Sequence, residues 1–406
     1  MRLLVLIFVA LLAGRAEAYP IVLKRGLPTD IWLTWPDGSR LDEPGLIQTF
    51  PEYRQSFDGH EFALAKAAGF DFIRLTIDPA IFLYKARPEK TAMLLSGTKA
   101  AIAEILAAGL KVDVDLHIIP RNGDDPGTDQ MLADDAAFER YLALVSEVGK
   151  LVARFPADQV AFEPMNEPTV DCDAIWNGAR QRWPAMLERL HAAARAAAPH
   201  TTLVLSGACW GGADGLAQID PETLQDENII WSFHSYEPFV FSHQGASWSD
   251  DAVAYVSGLS FPPVKGTKQK VLKRAENRIA LAKLPKARQS ELRTELRDYL
   301  ERYYQPGGAA DLARAPFAKV AAWAVKYHIR PQRILLGEFG AIRSDKFAPL
   351  SDAARAPLIT LIRSEAEVHG YAWSCWSWTG SFGISRPPDS RDFSPVLAKA
   401  LGLQAN

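Results

Sequence analysis

The stretch "VAFEPMNEPTV" spans residues 160–170 and joins an apolar, strand-like run to Asn166, Glu167 and Pro168. A short apolar run of this kind is typical of a strand that is buried on both faces, as in a parallel sheet. Polar groups that follow such strands collect at the carboxyl edge of the sheet. The fold and the function therefore depend on whether other strands in the chain end in the same way.

Seven further runs share this β-rich pattern. The eight predicted strands lie at residues 21–26, 70–77, 111–118, 160–167, 201–208, 229–236, 333–340 and 371–378. Amphipathic helical segments separate them, which predicts parallel βα units, and eight units favour a closed (β/α)8 TIM barrel. An open doubly wound sheet is the alternative. It normally carries a glycine-rich phosphate turn after its first strand, whereas Gly26 is followed here by "LPTDIWL".

A long connection, residues 237–332, separates the sixth and seventh predicted strands. It contains "TKQKVLKRAENRIALAKL" and "SELRTELRDYLERYY", which predict two charged helices broken near Pro285. One face of the second helix should dock on the barrel, through Leu292, Leu296, Tyr299, Leu300 and Tyr303. We predict one catalytic domain over residues 19–406 with a helical insertion at about 243–315, which serves either as a structural addition or as a lid or subsite wall.

The amino terminus has the composition of a secretory signal peptide. Arg2 precedes a short apolar run, and Ala16-Glu17-Ala18 forms an A-x-A cleavage site before Tyr19. The run is shorter than the ~20 residues that a membrane span needs, although an uncleaved anchor is the alternative. We expect residues 1–18 to be removed, leaving a secreted or periplasmic protein without stable membrane insertion.

Charge and cysteine content restrict the partners and cofactors. The 406 residues carry a net charge of -3, which gives no reason to expect a nucleic-acid partner. The three cysteines, Cys172, Cys209 and Cys375, are too few for a disulfide framework. We expect three buried free thiols, with one disulfide pair as the alternative. No C-x-x-C or H-E-x-x-H spacing indicates a zinc site.

Polar and aromatic groups on six predicted strands should meet at one mouth of the barrel. In strand order they are Arg74, His117, Asn166 with Glu167, His234 with Tyr236, Glu338, and the tryptophans Trp373, Trp376 and Trp378. Glycoside hydrolysis needs one carboxylic acid to protonate the leaving oxygen and a second carboxylate to attack the sugar or activate water. Burial raises the pKa of a carboxyl group, and a nearby arginine lowers it, so two glutamates can differ in charge.

These motifs, in this order, resemble glycoside hydrolase family 5, the family of many cellulases and mannanases. The resemblance covers roughly residues 20–395 apart from the insertion. It rests on Asn166-Glu167-Pro168 after the fourth strand and on Glu338-Phe339-Gly340 after the seventh. It implies that Glu167 is the acid/base and Glu338 the nucleophile of a retaining two-step reaction, and it implies no metal and no organic cofactor.

The resemblance also implies substrate-binding or positioning roles for Arg74, His117, Asn166, His234, Tyr236 and Trp376, with Trp373 and Trp378 as alternatives to the last. Two further aromatic residues lie near the expected mouth. Trp210 follows the fifth strand, where sugar stacking is plausible, and His243 is expected at the surface. Asp115 is expected to be a hydrogen bonder of the barrel interior.

The predicted function is that of a secreted endo-β-1,4-glucanase acting on a β-linked polysaccharide or oligosaccharide. A β-mannanase or another β-glucanase of the same family is the alternative substrate assignment. A non-catalytic carbohydrate-binding protein is the alternative from another class, although loss of either glutamate would be expected for it. A membrane-anchored partner in polysaccharide processing is a third hypothesis, which depends on whether the mature protein begins at Tyr19.

Overall fold

The eight strands form a closed parallel barrel in which each strand pairs with its neighbours in sequence and the last pairs with the first. This computed structural model describes residues 21–29, 60–84, 88–117, 128–249, 251–343, 346–347, 349–386 and 392–404. The strands are β1 Arg25–Pro28, β2 Phe72–Ile77, β3 Lys111–Leu116, β4 Val160–Glu163, β5 Thr202–Ser206, β6 Ile229–His234, β7 Ile334–Phe339 and β8 Ala372–Cys375. The predicted TIM barrel is confirmed.

Helices surround this barrel, and the longer ones bury one face each. They are α1 His60–Ala68, α2 Ala80–Tyr84, α3 Pro88–Ala107, α4 Thr128–Met131, α5 Asp135–Val152, α6 Cys172–Asn177, α7 Trp183–Ala197, α8 Ala213–Leu216, α9 Phe239–Ser242, α10 Lys268–Leu281, α11 Lys286–Tyr304, α12 Gly308–Lys326, α13 Asp352–Val368 and α14 Pro395–Ala400. In α5 the buried residues Phe138, Tyr141, Val145 and Val148 recur at helical spacing, which explains its packing on the sheet.

The bounds of all eight strands differ from the sequence prediction, and two ends differ by four residues. β4 ends at Glu163, because Pro164 has no N–H to continue the ladder, so Glu167 lies in the turn beyond the strand. The backbone N–H of Asn166 still donates to Leu116 O at 3.0 Å, which keeps this turn beside β3. β1 begins at Arg25 rather than at residue 21.

The barrel interior is apolar at one end and charged at the other. A cluster of apolar side chains fills the amino-terminal end, formed by Ile21, Leu23, Phe72, Ala161, Val204, Ile230, Leu335 and Ala372. Towards the carboxyl ends of the strands the inward positions become Arg74, Asp113, Asp115 and Glu163, all buried. Since strand side chains alternate between faces, Val114, between Asp113 and Asp115, packs outward against the helices. This apolar cluster therefore closes the barrel interior below the polar site.

The insertion after β6 has the two predicted helices, α10 and α11. The predicted docking stripe of α11 is buried at Leu292, Leu296, Leu300 and Tyr303, and partly buried at Tyr299. The Tyr303 hydroxyl donates to Ser260 O at 2.6 Å, which fastens the helix to the loop that follows β6. The stripe confirms that α11 is a packed part of the fold.

One cysteine expectation is wrong. Cys172 and Cys209 form a disulfide between the segments that follow β4 and β5, and only Cys375 is a buried free thiol. The pairing occurs because adjacent parallel strands deliver these segments to the same end of the barrel, which a sequence separation of 37 residues does not reveal. The predicted signal peptide, residues 1–18, lies outside the described residues. Among the helices of the described part of the chain, none is both long and apolar enough to span a bilayer.

Candidate active site

Glu338 lies near the end of β7 and is held by two hydrogen bonds. Arg74 Nη1 donates to its Oε1 at 2.6 Å, and the Tyr236 hydroxyl donates to its Oε2 at 2.9 Å. The pairing of β6 with β7 shifts register here, so that His234 pairs with Glu338. Such a bulge turns the following side chain, and Glu338 consequently meets Arg74 inside the barrel. Gly337 is required at this point, because a Cβ there would lie 2.4 Å from Ser232 Oγ.

Arg74 is fully buried and joins acids of three other strands, β3, β4 and β7. Its Nε and Nη2 donate to the two oxygens of Glu163 at 2.7 and 3.0 Å, and its Nη2 lies 3.1 Å from Asp115 Oδ2. Burial alone would lower the pKa of this guanidinium, but Asp115, Glu163 and Glu338 together raise it well above its usual value. The site therefore contains a permanent cation beneath Glu338.

A chain of side-chain hydrogen bonds fixes the orientation of Asn166 and His117. Arg74 Nη2 donates to Asn166 Oδ1 at 2.8 Å, and Asn166 Nδ2 lies 3.3 Å from His117 Nε2. His117 Nδ1 lies 2.9 Å from Asp115 Oδ2. Burial lowers the pKa of His117, so the ring is neutral, with its Nδ1–H directed to the acid and its Nε2 accepting from the amide.

Three tryptophan candidates lie in or just after β8, and one of them faces this network. Trp376 stacks on His117 with ring centroids 5.0 Å apart and ring planes inclined by 13°. Trp373 and Trp378 are buried in the core outside the barrel. The register of β8 thus selects Trp376 as the aromatic surface that remains partly exposed in the mouth.

Glu167 has a different environment from Glu338. Its side chain is 23% exposed, and its Oε1 lies 2.7 Å from His234 Nδ1. Its backbone φ is +38°, in the left-handed region, which turns the carboxyl group back over the barrel. Burial raises the pKa of Glu167 to about 7, against the opposing effect of His117 and Arg74. Burial also lowers the pKa of His234 to about 4, so that ring is neutral.

The two glutamates face each other across a short gap. One oxygen of Glu167, one oxygen of Glu338 and one ring nitrogen of His234 all lie within 4.8 Å of one another. A metal ion at this cluster would have to compete with Arg74 and Tyr236 for the oxygens of Glu338. The donors present suit an anionic carboxylate held by hydrogen bonds, opposite a carboxyl group that retains a proton near neutral pH.

The structure brings together all eight residues that the sequence singled out for the site, which are Arg74, His117, Asn166, Glu167, His234, Tyr236, Glu338 and Trp376. Of the acids that contact Arg74, Asp115 was expected only as a hydrogen bonder of the barrel interior, and Glu163 was missed. The alternation in "KVDVDL" and "VAFE" places these acids on the inward face of their strands, which is the signal that identifies them.

Two aromatic neighbours of the site have contrasting positions. His243 was expected at the surface, but it is only 9% exposed and lies 4.9 Å from the Tyr236 ring, because α9 folds back over the end of β6. Trp210 is 55% exposed. Its backbone N–H donates to Pro168 O at 3.0 Å, so it stands immediately beside the Glu167 turn.

Comparison with known proteins agrees with this geometry. The model of the cellulase family, glycosyl hydrolase family 5, matches residues 52–381. Endoglucanase 3 of Fibrobacter succinogenes is 26% identical over 271 residues, which are 65% of this chain and 36% of that relative. The chain thus spans little more than a third of the length of this curated relative.

Solved structures share the fold. Cel5A of Thermotoga maritima in complex with cellobiose superposes with a TM-score of 0.63 at 20% identity, over 94% of this chain and 97% of that one. The same enzyme in complex with mannotriose gives a TM-score of 0.63 at 22% identity, with the same coverage. Because the family model matches most of the chain, the sequence motifs, the barrel and the comparison agree: this protein belongs to glycosyl hydrolase family 5.

Proposed function

We propose that this protein is a retaining β-glycanase that cleaves β-1,4-glucan by double displacement. Glu338 is the nucleophile, because Arg74 and Tyr236 hold both of its oxygens and a cation lies beneath it. Glu167 is the acid/base, because a pKa of about 7 leaves it substantially protonated near neutral pH. The two roles require carboxyl groups in different charge states, and these two environments supply them.

The reaction proceeds in two steps. In the first, a Glu338 oxygen forms a bond to the anomeric carbon while the bond to the leaving oxygen breaks and Glu167 transfers its proton to that oxygen. In the second, Glu167 takes a proton from water, whose oxygen attacks the anomeric carbon and releases Glu338. Asn166 is oriented by Arg74 and His117 so that its amide reaches the sugar hydroxyl next to the reacting carbon.

The separation of the two carboxyl groups is the observation that carries the proposal. Their nearest oxygens lie within 4.8 Å, close to the ~5–5.5 Å between carboxyl groups that accompanies retention and well below the ~6.5–9.5 Å of inverting enzymes. Proton NMR of the first-formed products of cello-oligosaccharide cleavage should therefore show the β-anomer. An initial α-anomer would exclude double displacement.

Substitution of each glutamate tests the assignment of roles. We expect Glu338→Gln to abolish hydrolysis of all substrates, since the amide cannot form the glycosyl ester. We expect Glu167→Gln to retain burst release from an aryl glycoside with a good leaving group, and added azide to restore turnover. Full activity of Glu338→Gln would refute the mechanism.

The choice of β-1,4-glucan rests on the endoglucanase relatives and on the solved complexes of a similar fold, one with cellobiose and another with mannotriose. A β-mannanase is the second candidate, because the two backbones differ in the orientation of one hydroxyl group. Release of reducing ends from carboxymethylcellulose, glucomannan and lichenan separates the candidates. Oligosaccharide binding without cleavage on prolonged incubation would instead favour a non-catalytic binding protein.

We further propose export by the amino-terminal segment. Its charge, its apolar run and its A-x-A site before Tyr19 support cleavage after residue 18. Amino-terminal sequencing of the protein recovered from its native compartment should begin at Tyr19. A retained Met1 in a membrane fraction would favour the anchored form.

A further inference from the structure

A second cavity lies outside the catalytic mouth, between the insertion and the loop after β7. Its volume is about 300 Å³, at the lower end of the range of small-molecule sites. Helix α10 contributes Arg274 and Arg278 to its wall, and the loop after β7 contributes Arg343 and Phe347. None of the described residues that line this cavity carries a carboxylate.

The two arginines of α10 are held in place by neutral groups. Arg278 Nη1 donates to Ser257 Oγ at 2.8 Å and to Tyr255 O at 3.0 Å, while Arg274 Nη1 donates to Ser257 O at 3.3 Å. Neither guanidinium forms an ion pair with a carboxylate among the described residues. Burial and the positive charge of the neighbouring Arg274 lower the pKa of Arg278.

The third arginine of the cavity, Arg343, shares one acid with a further arginine, Arg355. Arg343 Nε lies 3.9 Å from Asp352 Oδ1, and the same oxygen lies 3.1 Å from Arg355 Nη1. The remaining bonds of Arg343 go to the backbone carbonyls of Gly383 and Ser385. One carboxylate therefore serves two guanidinium groups, and the charged side chains among the described residues that line the cavity are all arginines, although the whole chain is net negative.

The cavity wall is shaped to hold these side chains. The Arg278 guanidinium lies 3.5 Å from the centroid of the Phe347 ring, which fixes its plane. Gly258 lies beside Arg274 Nη1 and has a φ of +78°, a left-handed conformation that favours glycine. Oriented guanidinium groups of this kind match the oxygens of carboxylates and phosphates.

We propose that this cavity is a binding site for a carboxylate- or phosphate-bearing ligand of about the size of one acidic sugar or a small tricarboxylate. It is separate from the catalytic glutamates, but it adjoins the same face. Ile342 lines the cavity and packs with Phe382 beside Tyr236 and Trp376 at the catalytic mouth. The charged ligand is either a free anion or an acidic unit carried by the glycan.

Calorimetric titration of the full chain tests the site without using hydrolysis as the readout. We expect citrate to bind saturably and more tightly than glucuronate or inorganic phosphate. The double variant Arg274→Gln/Arg278→Gln should weaken citrate binding by at least about tenfold, because it removes two charge-assisted contacts. The matched control is Lys270→Gln/Lys273→Gln, which removes the same charge from exposed positions of the same helix and should change the affinity by less than about twofold.

Circular dichroism checks that the double variant folds, and Arg274→Lys/Arg278→Lys, which retains the charge, should recover part of the affinity. The proposal is overturned if wild type shows no saturable heat at millimolar citrate, or if the double variant binds as wild type does.

Competition distinguishes the two sources of the anion. If citrate raises the KM for carboxymethylcellulose but not the KM for hydroxyethylcellulose, the ligand is an acidic unit carried by the polymer. If citrate leaves both KM values unchanged, the ligand is a free anion. This last arm alone depends on the proposed hydrolase activity.

Discussion

Glu167 sets the proton balance of the proposed reaction, because burial raises its pKa to about 7. The protonated form is the acid, so kcat/KM for cello-oligosaccharides should fall about tenfold per pH unit above this value. A dinitrophenyl cellobioside needs no proton on its leaving group. Its pH profile should therefore lack this alkaline limb, and an identical limb with both substrates would contradict the assignment.

Tyr236 contributes one of the two hydrogen bonds that orient Glu338. Hydrogen bonds to charged groups are worth about 1.5–3 kcal/mol, so Tyr236→Phe should lower kcat roughly 10- to 100-fold in steady-state assays. Tyr303→Phe is the matched control, since it also removes a buried hydroxyl bond but lies in the insertion. Unchanged kcat in Tyr236→Phe would mean that Arg74 alone positions the nucleophile.

Single residues were predictable where they lie at or just beyond the carboxyl end of a strand and carry unusual chemistry. Glu338 and His234 were found in this way. Asp115 was assigned only to the barrel interior and Glu163 was missed, because a charged residue inside a strand gives no sign of its partner; only the three-dimensional closure brings both to Arg74. His243 was misplaced because a four-residue helix, α9, reverses the chain direction after β6.

At the scale of elements, the turns after β4 and β5 act as one unit. The Cys172–Cys209 disulfide joins them, and Cys209 N and Trp210 N donate to Val170 O and Pro168 O. A cross-link that closes a segment of this length stabilises a folded chain by about 2–4 kcal/mol. Urea unfolding should show that loss when wild type is reduced.

The control for this prediction is Cys172→Ser/Cys209→Ser. Reductant should leave its free energy of unfolding unchanged, because Cys375 has no partner to lose. A further decrease in this variant would assign the effect to something other than the disulfide.

The elements themselves were largely predictable. Buried β-rich runs separated by amphipathic helices specify eight βα units, and the periodicity of "SELRTELRDYLERYY" specified the docked face of α11. The ends of strands were less predictable. Pro164 terminates the β4 ladder early, and the bulge at Gly337 depends on the close approach of Ser232 rather than on any local preference.

At the scale of the whole molecule, the buried carboxyl group of Glu167 lowers the stability of the folded protein at neutral and alkaline pH. The pKa of the Glu167 carboxyl is about 7 in the folded protein against an ordinary 4.5, so the folded state binds the proton more tightly. The tighter proton binding stabilises the folded state below pH 4.5, and this stabilisation is lost as the pH rises through 7. The loss amounts to roughly 2–4 kcal/mol.

Glu167→Gln removes this penalty, because the amide stays neutral at every pH. The free energy of unfolding of the variant, minus that of wild type, should therefore increase by roughly 2–4 kcal/mol between pH 4.5 and pH 8 in urea titrations. A difference independent of pH would show that the folded protein does not raise the pKa of this carboxyl group.

The contacts of Arg74 limit how this chemistry can be moved to another scaffold. One guanidinium is shared by Glu163, Asp115 and Glu338, and it also orients Asn166. A designer who grafted only the two glutamates onto a different barrel would import the acids without their counter-ion. The smallest portable unit is the arginine together with its four partners, and lysine cannot replace it because a single ammonium cannot span acids on three strands.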